Sequence, residues 1–413
     1  MKFGYIIIII SVLYLFTAVP YADTNAHNIK YGNKFLLGNE NLLLNEKDKL
    51  TGKRIALITN RSGVTADGKF FLDELIKSAN VVKIFTPEHG LRGDDRDENF
   101  TDENTGLPVI SLYGSSKKPE AADLADVDIL VYDIQDVGAR FYTFINTMFY
   151  CMEAATELGK DFIVCDRPLM PDGNYTDGYM LDENQESFVG MIDIPIAYGM
   201  TSGELAGYIN TEYFNNDCRL FVSRMQNYTR ETDYESLDLS WIKPSPNIYY
   251  LSSALAYPGT CLFEGTNFSE GRGTDRPFEY VGAPYCDGNI LADEMNSLGL
   301  KGVTFEKIDF IPTTITSPSN PPKYVGEQCS GVYIKVTDKK MFEPVKTGIA
   351  LLVSLNKLFP GFEIKENKFI DKLAGTDRLR IAVQRGDTSD EILAGYKQEL
   401  DNFRALRSKY LLY

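Results

Sequence analysis

The sequence predicts an α/β fold built on a doubly wound parallel sheet, and three observations predict it. Short apolar runs alternate with helical periods from residue 52 onward, the runs end abruptly at polar residues, and glycines and prolines punctuate the changeovers. Strands that alternate with helices pair in parallel through right-handed crossovers. In such a sheet the ligand crevice lies beyond the carboxyl ends of the strands.

The elements follow in order. RIALITN (54–60) is a short apolar run stopped by Asn60 and Gly63, hence a buried strand. KFFLDELIKSA (69–79) carries apolar residues at 71, 72, 75, 76 and 79, a helical period. VVKIFT (81–86), PVISLYG (108–114) and VDILVYDIQD (127–136) are three more strands. FYTFINTMFYCMEAATELG (141–159) is a long helix closed by Gly159, and DFIVCDRP (161–168) is a strand stopped by proline. TSGELAGYINTEYF (201–214) is a helix with Thr201 and Glu204 as its capping box, and RLFVSRM (219–225) is a strand. The Gly-, Pro- and Asn-rich segment 243–279 reads as a long functional loop, too rich in Gly to be helical. Strands near 303–312 and 331–338 and helices near 344–358 and 390–409 complete the chain. The pattern divides it into residues 40–215, the parallel-sheet domain, and residues 216–413, a second α+β domain closing a cleft against the first. No internal repeat or low-complexity linker separates them.

At 413 residues the chain is long enough for more than one domain, and 44% apolar and 24% charged residues are ordinary for a globular protein. The balance of 42 basic and 58 acidic residues, a net −16, disfavours nucleic acid or an anionic membrane surface as partner. Lys2 followed by the uncharged stretch 3–22, with small residues near Ala22 and Ala26, fits a secretory signal peptide over residues 1–22. Pro20 and the polar DTNAHN favour cleavage over a retained anchor. An exported protein, periplasmic or extracellular, is therefore expected. Six scattered cysteines form no CxxC pair and with two histidines give no zinc signature, so neither metal nor cofactor is expected.

Chemistry concentrates in three motifs. Residues 84–94 read IFTPEHGLRGD, and the pair Glu88-His89 stands at a strand end. His27 lies near the processing site, so His89 is the imidazole available for work. A carboxylic acid serves as general acid when burial raises its pKa, with a neighbouring histidine tuning it. VYDIQDVGARFYTF places Asp133, Gln135 and Asp136 at another strand end, with Arg140 and Tyr142 just beyond. Sugar hydroxyls for Asp133 and Gln135 with an anion for Arg140 stand against a helix-cap role for Asp136. EGTNFSEGRGTDRP holds Glu264, Asn267, Glu270, Arg272 and Arg276 on a loop softened by Gly271 and Gly273. The arginine fork there suits a carboxylate. Asn60-Arg61 and Asp166-Arg167 end two further strands on the same edge. No GxSxG elbow, Walker loop or GxGxxG fingerprint occurs, which weakens serine hydrolysis, phosphoryl transfer and dinucleotide chemistry. Paired carboxylates suit glycoside hydrolysis.

Taken in order, LITNRSGV, FTPEHGLRGD, GLPVISLYG, DVDILVYDIQDVGARFYTF, CDRP, YGMTSGELA, YPGTCLFEGTNFSEGRGTDRPFE and LAGTDRLR resemble the exo-β-N-acetylmuramidases. This bacterial family, long classed as a domain of unknown function, consists of exported enzymes of peptidoglycan recycling. The resemblance covers roughly residues 40–413. It implies a Rossmann-like domain joined to a smaller second domain, with the active site in the cleft between them. It also implies release of N-acetylmuramic acid from the non-reducing end of β-1,4 glycan fragments, and Glu88 as the leading catalytic residue. His89, Asp133 and Glu264 join it as catalytic candidates, and Asp136 and Glu270 also compete for the second carboxylate. Asn60, Arg92, Gln135, Asp136, Arg140, Tyr142, Asp166, Arg167, Asn267, Glu270, Arg272 and Arg276 are the substrate-binding candidates. Tyr113, Tyr142 and Phe268 are candidates to stack on the sugar. Leu169-Met170-Pro171 and Ala197-Tyr198 depart from the family pattern. The competing class is an exported, non-catalytic binding protein for cell-wall sugars, which needs the arginines and aromatics but no acid at position 88.

Overall fold

The structure, a computed structural model, describes residues 34–93, 96–114, 116–170, 173–313 and 321–413. The expected signal peptide, His27 and Pro171 lie outside the described residues. The first half contains helix α1 (Gly38–Asn45), strand β1 (Arg54–Thr59), helix α2 (Phe71–Leu75) and strands β2 (Asn80–Thr86), β3 (Phe100–Thr101), β4 (Pro108–Ser111) and β5 (Ile129–Asp133). Helix α3 (Phe144–Glu157), strand β6 (Asp161–Cys165), helix α4 (Ser202–Glu212) and strand β7 (Arg219–Ser223) follow. Seven strands form one sheet in the order β3-β4-β2-β1-β5-β6-β7, parallel except for the antiparallel edge strand β3. β7 belongs to this sheet, so the parallel layer runs past residue 215, where the sequence pattern placed the domain division.

Both faces of the sheet are buried, and the period of two decides which residue goes where. Ile55 and Leu57 of β1 join Leu42, Phe71, Leu72 and Ile84 on one face. Ala56 and Ile58 join Phe85, Leu130, Tyr132, Phe144 and Met148 on the other. The Thr201–Glu204 capping box at the start of α4 forms as the sequence indicates.

The second half contains helix α5 (Leu251–Thr260), strand β8 (Tyr280–Ala283), helix α6 (Gly288–Ser297) and strands β9 (Val303–Phe310) and β10 (Cys329–Val336), followed by helices α7 (Pro344–Leu358), α8 (Phe369–Ala374), α9 (Arg378–Arg385) and α10 (Ser389–Arg407). β8, β10 and β9 make a small antiparallel sheet in that order. Its core is continuous with one face of the large sheet, and Phe35–Tyr413 cluster as one compact unit. Helix α5 corrects the expected loop at 243–279. Its residues 253–260 are all buried, so tertiary packing overrides the weak helix propensity of its Pro258 and Gly259. Gly259 permits the packing, because a Cβ there would stand 2.0 Å from the carbonyl oxygen of Pro344 on α7.

Candidate active site

Strand β2 delivers Glu88 and His89 on a turn that the backbone does not adopt freely. His89 has φ 75° and Gly90 φ 68°. Consecutive left-handed residues bring the strand to a sharp stop, at a cost of about 1–3 kcal/mol for the non-glycine position. Glu88 Oε2 accepts a hydrogen bond of 3.0 Å from Thr143 Oγ1, and Glu88 Oε1 lies 3.9 Å from His89 Nε2. Tyr113, just after β4, bonds the same carboxylate. Burial and then the charge of Glu88 push the tyrosine pKa up. The Glu88 side chain is 24% exposed, so it is held by its neighbours yet open to a ligand.

The opposite wall comes from the second half of the chain. Glu88, His89, Tyr142 and Thr143 share a small cavity, about 80 Å³, with Ser245, Asn247, Tyr257, Arg272 and Phe278. The Tyr142 hydroxyl is buried beside Ser245. Phe141 and Tyr142 meet the Tyr257 ring edge-on at 5.4 and 5.5 Å. Arg272 lies 5.0 Å from the Phe278 ring centre, with Glu264 bound to its guanidinium and Glu270 at 3.4 Å. Phe278 itself has φ 66°, uncommon for a bulky residue, and its N–H donates 2.7 Å to the Glu270 carbonyl. Two of the residues around this cavity, one on each wall, thus hold strained backbone, a mark of functional sites. A larger cavity, about 540 Å³, lies between the 230s and residues 337–340, but it lacks a carboxylate–imidazole pair.

The crevice between β1 and β5, where the strand order reverses, is filled by the protein's own polar groups. Asp133 is fully buried and takes two bonds from Arg167, at 2.7 and 2.8 Å, plus one from Asn39 Nδ2 at 3.0 Å. Asn60 accepts from Ser62 N–H and hydroxyl, and Gln135 Nε2 donates to the carbonyls of Asp136 and Pro168. Asp166 accepts from Thr201 Oγ1, Gly203 N and the hydroxyl of the terminal residue Tyr413. Burial, with Glu204 nearby, raises the Asp166 pKa to about 6. Asp133, Gln135, Asp166 and Arg167 therefore stand on the expected edge but hold the fold together through these bonds, while Asn60 is buried on the same edge with its Oδ1 taken and its Nδ2 without a hydrogen-bond partner among the described residues.

Other candidates are likewise committed elsewhere. Arg140 is fully buried and donates to the carbonyls of Tyr179, Ile194 and Leu373, so it does not reach an external anion. Burial lowers its pKa to about 10. Arg92 grips Asp102 with two 3.3 Å bonds. Asn267 pins the 361–363 turn through Gly361 O and Glu363 N, and Phe268 is buried among Tyr285, Phe359 and Phe362. Glu264 and Glu270 border a separate cavity with Lys323 and Lys365. Burial works against charge on Glu270, but Lys323 and Arg272 outweigh it and hold its carboxyl below the ordinary range. Arg276 sits outside the pocket, 3.4 Å from Glu279 and 4.3 Å from the Tyr250 ring centre. Asp136 is buried with its Oδ2 taken by Gly138 N and Tyr198 OH, which explains what Tyr198 does at a position departing from the family pattern. Burial raises the Asp136 pKa to about 6.

Glu88, His89, Tyr142 and Arg272 are the sequence candidates that converge on this cavity, and Tyr113 joins them through its bond to Glu88. Thr143, Ser245, Asn247, Tyr257 and Phe278 were not singled out. Ser245, Asn247, Tyr257 and Phe278 all belong to the Gly-, Pro- and Asn-rich segment 243–279 whose composition pointed to function, but within it the charged residues drew the attention. Among the described residues no three His, Cys, Asp or Glu side chains cluster as metal ligands, and all six cysteines are buried thiols.

Comparison with known proteins agrees with this architecture. Residues 55–252 match the family described as "Exo-beta-N-acetylmuramidase NamZ, N-terminal", and residues 255–413 match its C-terminal counterpart. A protein of Bacillus subtilis (strain 168), "Peptidoglycan beta-N-acetylmuramidase NamZ", is 44% identical over 387 residues, 92% of each chain. Crystal structures of two DUF1343 family proteins from Bacteroides fragilis superpose with TM-scores of 0.83 and 0.74. Each is 34% identical and covers 92% of this chain and 99% of its own.

Proposed function

We propose a reaction from the premise that this chain belongs to the exo-β-N-acetylmuramidase family: it is a glycoside hydrolase that releases N-acetylmuramic acid from the non-reducing end of β-1,4-linked peptidoglycan fragments. Glu88 gives its proton to the glycosidic oxygen as the bond to the anomeric carbon breaks, and water supplies the hydroxyl that completes the sugar and the proton that restores Glu88. The observation that carries this role is the placement of Glu88 on the strained turn after β2, its carboxylate gripped by Thr143 and Tyr113 and facing the cavity. The two hydroxyls fix the direction in which the carboxyl group points. His89, with Nε2 3.9 Å from Glu88 Oε1, helps to orient it. Arg272, fixed by Glu264 and Glu270, presents its fork to the lactyl carboxylate that distinguishes muramic acid from glucosamine. The apolar stretch at residues 3–22, read as a signal peptide, supports an exported enzyme that meets peptidoglycan fragments outside the cytoplasm.

Glu88→Gln keeps the shape and removes the transferable proton. Turnover on a muramic-acid-terminated disaccharide should fall at least about a hundredfold with binding largely intact. The loss should be smaller on an aryl glycoside, whose leaving group needs little protonation. Equal losses on both substrates would make Glu88 a base or nucleophile instead. A wild-type protein that binds the disaccharide without cleaving it would leave the binding-protein alternative standing.

A further inference from the structure

The cavity beside Glu88 is small. At about 80 Å³ it falls well below the roughly 300–1,000 Å³ of sites that enclose a whole ligand. Its size suits one substituent of a sugar, with the ring at its mouth.

The walls describe that substituent. Phe141, Tyr142 and Phe278 all meet the Tyr257 ring edge-on, at 5.4, 5.5 and 4.7 Å, and give the cavity a fixed apolar lining. Within it the Tyr142 hydroxyl is buried beside Ser245 and completes no hydrogen bond of ordinary geometry. A buried donor of this kind costs free energy until something accepts from it. A methyl group for the rings and a neutral carbonyl oxygen for the hydroxyl together make an acetamido group, the substituent on C2 of N-acetylmuramic acid. The lactyl group assigned to Arg272 stands on C3, the next carbon of the same ring.

Among the described residues Glu88 is the one carboxylate that borders this cavity. The others weighed as its partner are engaged elsewhere: Asp133 with Arg167, Asp136 with Gly138 and Tyr198, Glu264 with Arg272, and Glu270 with Lys323. Hydrolysis by two carboxylates needs a second group at the anomeric carbon, and a substrate's own acetamido carbonyl can take that place.

We propose that the cavity holds the 2-acetamido group of the muramic residue, that Tyr142 donates to its carbonyl oxygen, and that this oxygen is the nucleophile. Glu88 protonates the departing glycosidic oxygen, the glycosidic bond to C1 breaks, and the carbonyl oxygen bonds to C1 from the opposite face. The product is a cyclic oxazolinium ion. Water then attacks C1 and gives a proton to the Glu88 carboxylate. The oxazolinium C1–O bond breaks, its electron pair returns to the amide, and the sugar leaves with its anomeric configuration retained. The proposal rests on the hydrolytic reading above and deepens it.

Proton NMR of the first sugar released from a muramic-acid-terminated disaccharide reads the configuration. The β anomer is expected; the α anomer overturns the proposal and leaves the hydrolytic reading intact. Aryl N-acetylmuramides with one or two fluorines on the acetyl group read the nucleophile. Each fluorine draws electrons from the carbonyl oxygen, so wild-type kcat/KM should fall at each step, and a flat series overturns the step. Tyr142→Phe should lower kcat about tenfold on the acetyl substrate, the usual effect of one hydrogen bond. That loss should shrink on the difluoroacetyl analogue, whose oxygen accepts more weakly, and an equal loss on both removes Tyr142 from the acetamido group. Should wild type cleave no glycoside, the hydrolytic reading fails and takes the nucleophile with it. Titrating wild type and Tyr142→Phe with N-acetylmuramic acid and its de-N-acetyl form then decides the acetamido site: a preference for the acetyl form that the variant loses supports it, and any other result removes it.

Discussion

Glu88 differs from Asp133, Asp166 and Glu270 in the nature of its partners. Its named hydrogen-bond donors are hydroxyls, whereas Asp133 and Glu270 are matched by cations and Asp166 is locked by a helix start and a chain terminus. A carboxylate clamped by a buried guanidinium has neither free lone pairs nor a proton to give. The same logic makes a prediction for Arg272. Arg272→Lys keeps one charge between Glu264 and Glu270 but loses the planar fork, so KM for a muramic-acid-terminated substrate should rise about tenfold. An analogue lacking the lactyl group should show no such rise, and equal KM increases on the two would detach Arg272 from that carboxylate. Asp136 supplies a pH prediction. Its folded pKa, about 6, lies above its ordinary value because of burial. Such a group contributes stability that is present in full below the unfolded pKa and lost as pH rises through the folded one. Thermal unfolding of wild type minus that of Asp136→Asn should therefore decline between about pH 4 and 7, and a flat difference would show that Asp136 does not titrate there.

Among the elements that the sequence pattern did not show, α5 matters most because Tyr257 rides on it into the candidate active-site cavity. Its packing rests on backbone contact rather than side-chain interdigitation. A Cβ at Gly259 would collide with Pro344 O, and one at Gly348 would stand 2.4 Å from Gly259 O. Neither collision is with a movable side chain, so the two helices must part. Gly259→Ala should destabilise by about 1–3 kcal/mol and lower activity with it, measured by denaturant unfolding and turnover on the same sample. Wild-type stability in that variant would mean that the crossing is looser than these distances. By contrast α4, α7 and α10 were legible, since a capping box or an N-terminal proline marks where each begins.

Across the whole molecule, Arg140 acts as a central tie. From the loop that leads to Tyr142 and Thr143 it reaches the carbonyls of Tyr179, Ile194 and Leu373, which are scattered over half the chain. Arg140→Met would leave all three carbonyls without this donor in a buried place. A loss of about 3 kcal/mol or more follows, with turnover falling as Thr143 is released from Glu88. Equilibrium unfolding checks the first and kinetics on the disaccharide the second; a variant as stable as wild type would deny Arg140 this role. The C-terminus ties similarly, with Leu412 N donating to Glu204 and Tyr413 OH to Asp166.

The family resemblance singled out Glu88; by itself the sequence pattern determined most of the strand and helix order of the first half, the parallel sheet and the edge on which polar residues gather. These follow from local signals: apolar period, glycine and proline stops, and the rule that parallel strands end together. Only the tertiary structure decided which of those polar residues are free for a ligand. Asp133 and Arg167 are 34 residues apart and satisfy each other, Arg140 spends itself on a carbonyl 233 residues away, and Thr143 meets Glu88 across 55. A side chain's chemistry is written in its type, but whether that chemistry is still available depends on partners brought together by folding.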